Sequence, residues 1–409
     1  LSKFTFKNSR LLNRKPIGDI NVIKNFKYED AISYYKKWYQ PERMGLFIIG
    51  EIQSEEIKDL IQKYFGGFKN TEKTTDPDYK VPDFNENLFF SYQDSLKENI
   101  QFSIWNKDDF KKVNTIKNYQ HAIVGYLAQD IYYRRINELN ERNQSAFRNS
   151  FIYEDQISDL DMYYLFLVIL KQNSILQGIE DALTVAEQIK RYGFLKSEFE
   201  LAKKRRLDLL NQALTEENTR SSKDFIEEYI DHFIYEEMIT GLAKEIEYTE
   251  EMFKSISVQD LNDYFKNYLS SKNRIISIVA PDFITDLPTE TDIEKLFKTV
   301  SQKNIKPYKF ELKNTELIKK DLSGSKIVKR KRFPRSNIVK LTLENGADIY
   351  LKKTDFKKDE IQLKAFSWGG YSTVDIENIA SAKYAGDILN SADLGEISVN
   401  EKENLFQEN

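Results

Sequence analysis

The sequence predicts an α+β chain of repeated two-layer domains, each a mixed or antiparallel sheet backed by helices on one face. Three observations predict this. Strand and helix signals interleave along the chain, with connections that suit both hairpins and crossovers. At 409 residues the chain exceeds what one hydrophobic core normally organises. A helix–turn–strand segment also recurs a domain-length later: residues 30–39, DAISYYKKWY, match residues 260–269, DLNDYFKNYL, and apolar runs at 46–49 and 275–279 follow them. Such a recurrence suggests two copies of one domain, the first present only as its C-terminal end. Two unrelated amphipathic helices that each precede a strand would give the same pattern.

Each element has a local reason. Tyr28, Ala31, Ile32, Tyr35 and Tyr39 fall at helical spacing, and Pro41 stops that helix. Residues 44–50 are a short apolar run, expected as a buried strand. Ser54, Glu55 and Glu56 open a second helix, which Gly66 and Gly67 close. Residues 70–87 are polar, contain Pro77 and Pro82, and read as a linker. Ile100, Phe102 and Ile104 alternate with other residues as a strand with one buried face. A helix is expected over 117–140 and a strand over 146–153. Residues 162–170, MYYLFLVIL, fit a central strand buried on both faces.

A helix over 175–192 ends at Gly193, and Ser197 with Glu200 reads as a capping box opening a long charged helix to about 216. Helices over about 221–240 and from Ser257 follow, then a strand at 274–280. Residues 283–336 read as a second linker. Residues 338–344 and 348–353 flank Asn345-Gly346, a strong hairpin turn. A third strand is expected at 361–366, before Trp368-Gly369-Gly370, and a helix at 375–389.

Composition excludes several function classes. Lys+Arg 61 against Asp+Glu 65 gives a formal charge of -4, without the basic excess of a general nucleic-acid binder. Absence of cysteine removes disulfides, thiolate metal sites and cysteine nucleophiles. Only two histidines, His121 and His232, are available for imidazole chemistry. No apolar run reaches the ~20 residues that span a bilayer. Leu1 is not a start methionine, and the chain stops in polar sequence, so it is expected to be a piece of a longer one.

Chemistry-bearing candidates each have a plainer reading. His121 opens a helix and reads as a surface or packing residue. His232 and Glu236 lie four apart, on one helical face, as a solvated pair rather than a metal site. Glu154, Asp155, Asp159 and Asp161 read as a charged loop joining two strands rather than an acid/base pair. Gly369-Gly370 is a backbone bend without the phosphate-loop pattern. The basic run 319–335 reads as an exposed inter-domain linker suited to acidic faces around 236–237 and 245–251. Most of the 24 Tyr and 27 Phe fall at core spacing; Trp105 and Trp368 are candidates for gripping unfolded peptide.

Three pieces of the chain resemble the pitrilysin/insulinase-type zinc metallopeptidase family. Residues 14–18 (RKPIG), 35–41 (YKKWYQP) and Ile48-Ile49-Gly50 look like the end of its catalytic domain. Gly193-Phe194-Leu195 running into Glu198, Glu200, Ala202 and Lys203, then Arg220-Ser221, is similar to the long-helix region of its companion domain. Residues 344–351 (ENGADIYL) with Gly369-Gly370-Tyr371-Ser372 look like the opening hairpin of a further copy.

The resemblance implies four α+β domains in two halves around a chamber, and hydrolysis of peptides by a zinc-bound water. It divides the chain into 1–69, the end of a first peptidase-like domain; 70–87, a linker; 88–282, a non-catalytic companion domain; 283–336, the inter-half linker; and 337–409, the start of a degenerate third domain.

The family's inverted signature, H-x-x-E-H, is absent, and residues 371–409 contain no histidine. No catalytic, cofactor-binding or metal residue is therefore assigned here. The expected function is the non-catalytic middle of a zinc metallopeptidase whose zinc ligands lie outside this chain. The alternative is a catalytically inactive scaffold or partner subunit that binds peptides; a module taking extended peptides at its sheet edges is a third class. Expected partners are peptide or unfolded polypeptide and the other half of the same protein or a catalytic subunit, with no nucleic acid and no membrane span. Lys-, Asn- and Ile-rich usage suggests a bacterial AT-rich genome, and the resemblance favours periplasm or cell envelope over cytoplasm.

Overall fold

The computed structural model describes residues 2–14, 16–70, 74–84, 86–217, 220–309, 323–354, 361–390, 392–395 and 397. Its contacts group into two units, one of residues 1–207 with 220–310, the other of 208–219 with 311–409.

The first unit opens with α1 (Ser2–Thr5), α2 (Ile20–Asn25), α3 (Tyr28–Trp38) and α4 (Ser54–Phe65). It continues with β1 (Leu88–Gln93), β2 (Ile100–Asp109), α5 (Ile116–Glu141), β3 (Phe147–Gln156) and β4 (Asp161–Leu170). Helices α6 (Ile175–Tyr192), α7 (Lys196–Thr215, of which residues 208–215 group with the second unit), α8 (Ser222–Tyr235), α9 (Leu242–Ser255) and α10 (Val258–Phe265) follow, then β5 (Arg274–Ala280) and α11 (Glu290–Gln302). The five strands form one mixed sheet in the order β1-β5-β2-β4-β3. Strand β5 pairs parallel to β1 and antiparallel to β2, while β2–β4 and β4–β3 are antiparallel. This is the expected α+β layer.

The main core lies between this sheet and its helices. Phe102, Ile104, Phe166 and Val168 from the sheet meet Leu127, Ile131, Ile179, Leu183, Leu261 and Phe265 from α5, α6 and α10. The other sheet face carries a smaller cluster of Leu88, Phe90, Tyr163, Ile275 and Val279, against which Phe4 packs. Phe4 stacks on Phe90 at 4.3 Å, and Tyr163 donates to the Thr5 carbonyl at 2.8 Å. Trp105 belongs to this second face: it meets Tyr163 edge-on and donates to Ser277 Oγ at 3.2 Å. It is half-buried in packing rather than free to grip peptide.

The second unit contains β6 (Ile327–Phe333), β7 (Ile338–Leu343), β8 (Asp348–Lys352) and α12 (Ile379–Asn390). Its sheet runs β6-β7-β8, all antiparallel. The β7–β8 turn is the expected Asn345-Gly346 turn: Gly346 has φ +86°, and the Leu343 N–H reaches the Ala347 carbonyl at 2.8 Å.

Several expectations change. Residues 44–50 and 361–366 form no strand, and Leu46, Ile48, Ile361, Leu363 and Phe366 are exposed. Neither run meets a ladder partner among the described residues, and an apolar run without a partner strand has nothing to pair its backbone. The stretch expected as the second linker contains α11, which buries Ile293 and Val300, and the basic edge strand β6. Residues 319–322 of the basic run lie outside the described residues. The expected capping box does not form: Glu198, not Glu200, reaches back to a backbone N–H, that of Leu195, at 2.8 Å, and Leu195 has no side-chain oxygen to complete the box.

The recurring segment folds twice in the same way but is buried once. Asp30 Oδ2 accepts the Lys27 N–H at 3.1 Å, and Asp260 Oδ2 accepts the Ser257 N–H at 2.7 Å. Both acids sit at the same position of their helices and close the same reverse cap. Yet Tyr35 is 60% exposed, while its counterpart Phe265 is 0% exposed. Likewise α4, which follows residues 46–49 as α11 follows β5, buries nothing.

Gly193 ends α6 at φ +73°, ψ −174°, a conformation reserved almost entirely for glycine. A Cβ there would lie 2.6 Å from Asn262 Nδ2, whose Oδ1 accepts the Phe194 N–H. Gly193→Ala is therefore expected to destabilise the first unit by about 1–3 kcal/mol, read as a lower urea midpoint at unchanged slope. An unchanged midpoint would show that this turn carries no strain.

Candidate functional site

A group of titratable side chains sits where the start of α5 meets β3, β4 and α10. Thr115 caps α5 by accepting the Asn118 N–H at 3.2 Å. His121, in the second turn, is half-buried, with Nε2 3.2 Å from Tyr164 Oη and 3.7 Å from Glu154 Oε1. Tyr264, on α10, donates to Glu154 Oε1 at 2.7 Å and lies 3.2 Å from Tyr268 Oη. Lys111 donates to Asp108 Oδ2 at 2.9 Å and reaches Tyr164 Oη at 3.4 Å. Gly125 makes the close approach possible, because a Cβ would meet Tyr264 Oη at 2.6 Å.

Burial sets the protonation states. It pushes the Tyr164 phenol up to about 12, and raises Tyr264 and Tyr268 further. It lowers His121 below the ordinary imidazole value, and the Lys111 charge adds to that effect. Near neutral pH the group is a neutral imidazole among protonated phenols, of which Tyr264 donates to Glu154 Oε1. Phenols held protonated are poor bases and poor nucleophiles. The arrangement ties two helices to two strands.

The residues do not fit a zinc ion. Among the described residues no three His, Asp or Glu side chains converge as a metal requires. His232 does not supply the missing donor. Helix α8 ends at Tyr235, Glu236 takes the left-handed φ of +59°, and the expected same-face pair with His232 is not formed. Instead the His232 Nδ1 lies 2.6 Å from the Glu237 carbonyl.

The acids around 154–161 are more than a charged loop. Asp161 is fully buried, accepting the Val81 N–H at 2.8 Å and facing Lys107 Nζ at 3.2 Å. A second buried node went unread in the sequence. Arg135, on α5, is 2% exposed and grips Glu198 twice, Nε–Oε1 at 2.8 Å and Nη2–Oε2 at 2.6 Å. Its signal was present: Arg135 continues the apolar stripe of Val124, Ala128 and Ile131. Trp368 is exposed, and Gly369 and Gly370, both with positive φ, form the expected bend.

The two-layer fold, a five-stranded mixed sheet backed by helices, can be compared with known families. Residues 25–206 match the family described as the Peptidase M16 inactive domain. A zinc protease PQQL-like protein of Arabidopsis thaliana is 21% identical over 394 residues, 96% of this chain and 38% of its own length. A probable zinc protease PqqL of Haemophilus influenzae is 20% identical over 407 residues, 97% of this chain and 43% of its own. The crystal structure of the periplasmic protease PqqL from Escherichia coli superposes with a TM-score of 0.72 at 17% identity, covering 100% of this chain and 45% of that one. The resemblance to pitrilysin/insulinase-type peptidases stands, as does the fold class. The chain spans about two-fifths of the length of these curated relatives.

Because the folded state holds His121 neutral, protonation favours unfolding. The stability is present above the ordinary imidazole pKa near 6.5 and is lost as pH falls through the lowered folded value. Unfolding free energy is expected to fall as pH drops below about 6.5, and His121→Gln should flatten that slope. An identical slope in the variant would remove His121 from the linkage.

Proposed function

We propose that this chain is the non-catalytic middle portion of a zinc metallopeptidase that hydrolyses peptides inside a chamber, with the zinc ligands supplied by residues outside it. The observation that carries this reading is the uncovered copy of the repeat. Helix α3, the following Tyr39 and residues 44–50 expose Tyr34, Tyr35, Tyr39, Leu46 and Ile48, while the counterpart pattern on α10 and β5 is buried under the sheet and α5. A face of this composition is the inner side of a domain whose sheet is supplied by preceding sequence. The M16 inactive-domain match and the greater length of the relatives support it.

On this reading 1–69 completes a first domain, 88–282 is the companion domain and 337–409 begins a third, separated by linkers at 70–87 and 283–336. The partner is the other half of the same protein, and the substrate is peptide or unfolded polypeptide. No described helix is long and apolar enough to cross a membrane. A periplasmic or envelope location follows the structural relative described as a periplasmic protease.

The test compares this chain with one extended upstream through the preceding domain. Elemental analysis should find no stoichiometric zinc on the former and one on the latter, with peptide cleavage only in the latter. One tightly held zinc on the present chain would overturn the reading; an extended chain without zinc would make the protein an inactive scaffold. Tyr35→Asp should leave the present chain's stability within about 0.5 kcal/mol yet destabilise the extended chain by about 2–4 kcal/mol.

A further inference from the structure

Strand β6 lies at one edge of the sheet β6-β7-β8, and among the described residues no strand pairs with its outer side. Its centre is four consecutive cations, Lys329, Arg330, Lys331 and Arg332, all exposed. The pleat divides them. Lys329 and Lys331 share a sheet face with Lys340 and Lys352, while Arg330 and Arg332 share the other with Leu341 and Val339.

The lysine face is poorly neutralised. Asp348 is the one acid on it among the described residues of the three strands, and it is already held by Lys340 Nζ and Thr342 Oγ1, each at 2.7 Å. Lys331 stands directly opposite Lys340 in the ladder. Like charges in that position oppose strand pairing. Two rings hold them in place: Lys331 Nζ lies 4.8 Å from the centre of Phe333, and Lys340 Nζ 5.3 Å from that of Tyr350.

Lysines on an edge strand deter edge-to-edge pairing, and that is the simplest use of such a row. The deterrent acts through charge, so it is selective. A neutral strand gains nothing from it, and a second copy of β6 is repelled. An acid-rich strand is attracted. Added beside β6, its alternate side chains would fall next to Lys329 and Lys331 on one face and next to Arg330 and Arg332 on the other.

We propose that the outer edge of β6 takes an extended acidic polypeptide segment as a fourth strand, with acids on both of its faces. Backbone pairing along the open edge supplies the alignment, and the four cations supply the selection. The inference rests on β6, β7 and β8 alone and is independent of where any zinc is bound.

The experiment is fluorescence anisotropy of the whole chain at low salt with three labelled probes. The first is a peptide of about eight residues, a strand's length, with glutamates and threonines in successive pairs so that acids fall on both faces. The second is the same peptide N-methylated at every residue, which keeps the charge and removes the backbone donors. The third is a single-stranded oligouridylate of matching charge. The first peptide should bind saturably with Kd below about 1 mM, and its methylated form at least about tenfold more weakly. Lys329→Glu combined with Lys331→Glu should also weaken the first peptide by roughly tenfold or more. Equal binding of the methylated peptide would overturn strand addition, and tighter binding of the oligouridylate would make the edge a nucleic-acid surface instead. No saturable binding of the first peptide, or an affinity unchanged in the double variant, would overturn the proposal as well.

Discussion

The first unit depends on the insertion of β5 between β1 and β2. Among the described residues, strand β1 joins the sheet only through its parallel ladder with β5, from Leu88 opposite Ile275 to Gln93 opposite Ala280. Strand β2 is already paired with β4 on its other edge, so β5 closes the sheet by filling one slot. All six residues from Ile275 to Ala280 are buried because helices cover one face and the Phe4–Phe90–Tyr163 cluster covers the other. The sheet is complete only when a late segment returns to an early one, across the whole helical layer.

That layer is pinned by a buried ion pair. Arg135 on α5 holds Glu198 at the start of α7, and Glu198 also caps the Leu195 N–H. One carboxylate thereby fixes where α7 begins and how it meets α5. Buried pairs of this kind add little net stability over an apolar replacement, but losing one partner costs about 3–5 kcal/mol, since the other is left charged in the core. The pair acts as a register mark between helices. The Tyr264–Glu154–His121–Tyr164 group does the same for α10, β3, β4 and α5, using neutral donors.

Much of this was legible in sequence because it is local. Helices with caps and clean stripes, the buried strand at 161–170 and the Asn345-Gly346 hairpin all follow from spacing and turn chemistry. What escaped is non-local. Strand β1, LFFSYQ, takes its identity from β5 far along the chain, and β6 is a run of exposed basic residues whose strand state comes from pairing with β7. The reverse error has the same origin. Residues 44–50 and 361–366 have strand chemistry, but an apolar run reports what a segment can bury, not whether a partner is at hand. The candidate site was legible residue by residue and not as a group. Each tyrosine read singly as core, and only the fold brings Tyr164, Tyr264 and Tyr268 within reach of one histidine and one glutamate.

The two copies of the repeat separate what caps do from what burial does. Helices α3 and α10 begin with the same acid reaching back to the same backbone position, so the sequence sets their starts in both. A reverse cap contributes on the order of 1 kcal/mol, and an 11-residue helix is marginal on its own in water. Helix α10 gains the rest from Leu261, Tyr264 and Phe265 packed against α5 and the sheet. Helix α3 presents Tyr34 and Tyr35 for the same purpose and buries neither. Its apolar face has the chemistry of an interior and the exposure of a surface. The physical resolution is a covering sheet and helix of the kind that β2, β4 and α5 provide for α10, which is the domain the proposed function places upstream.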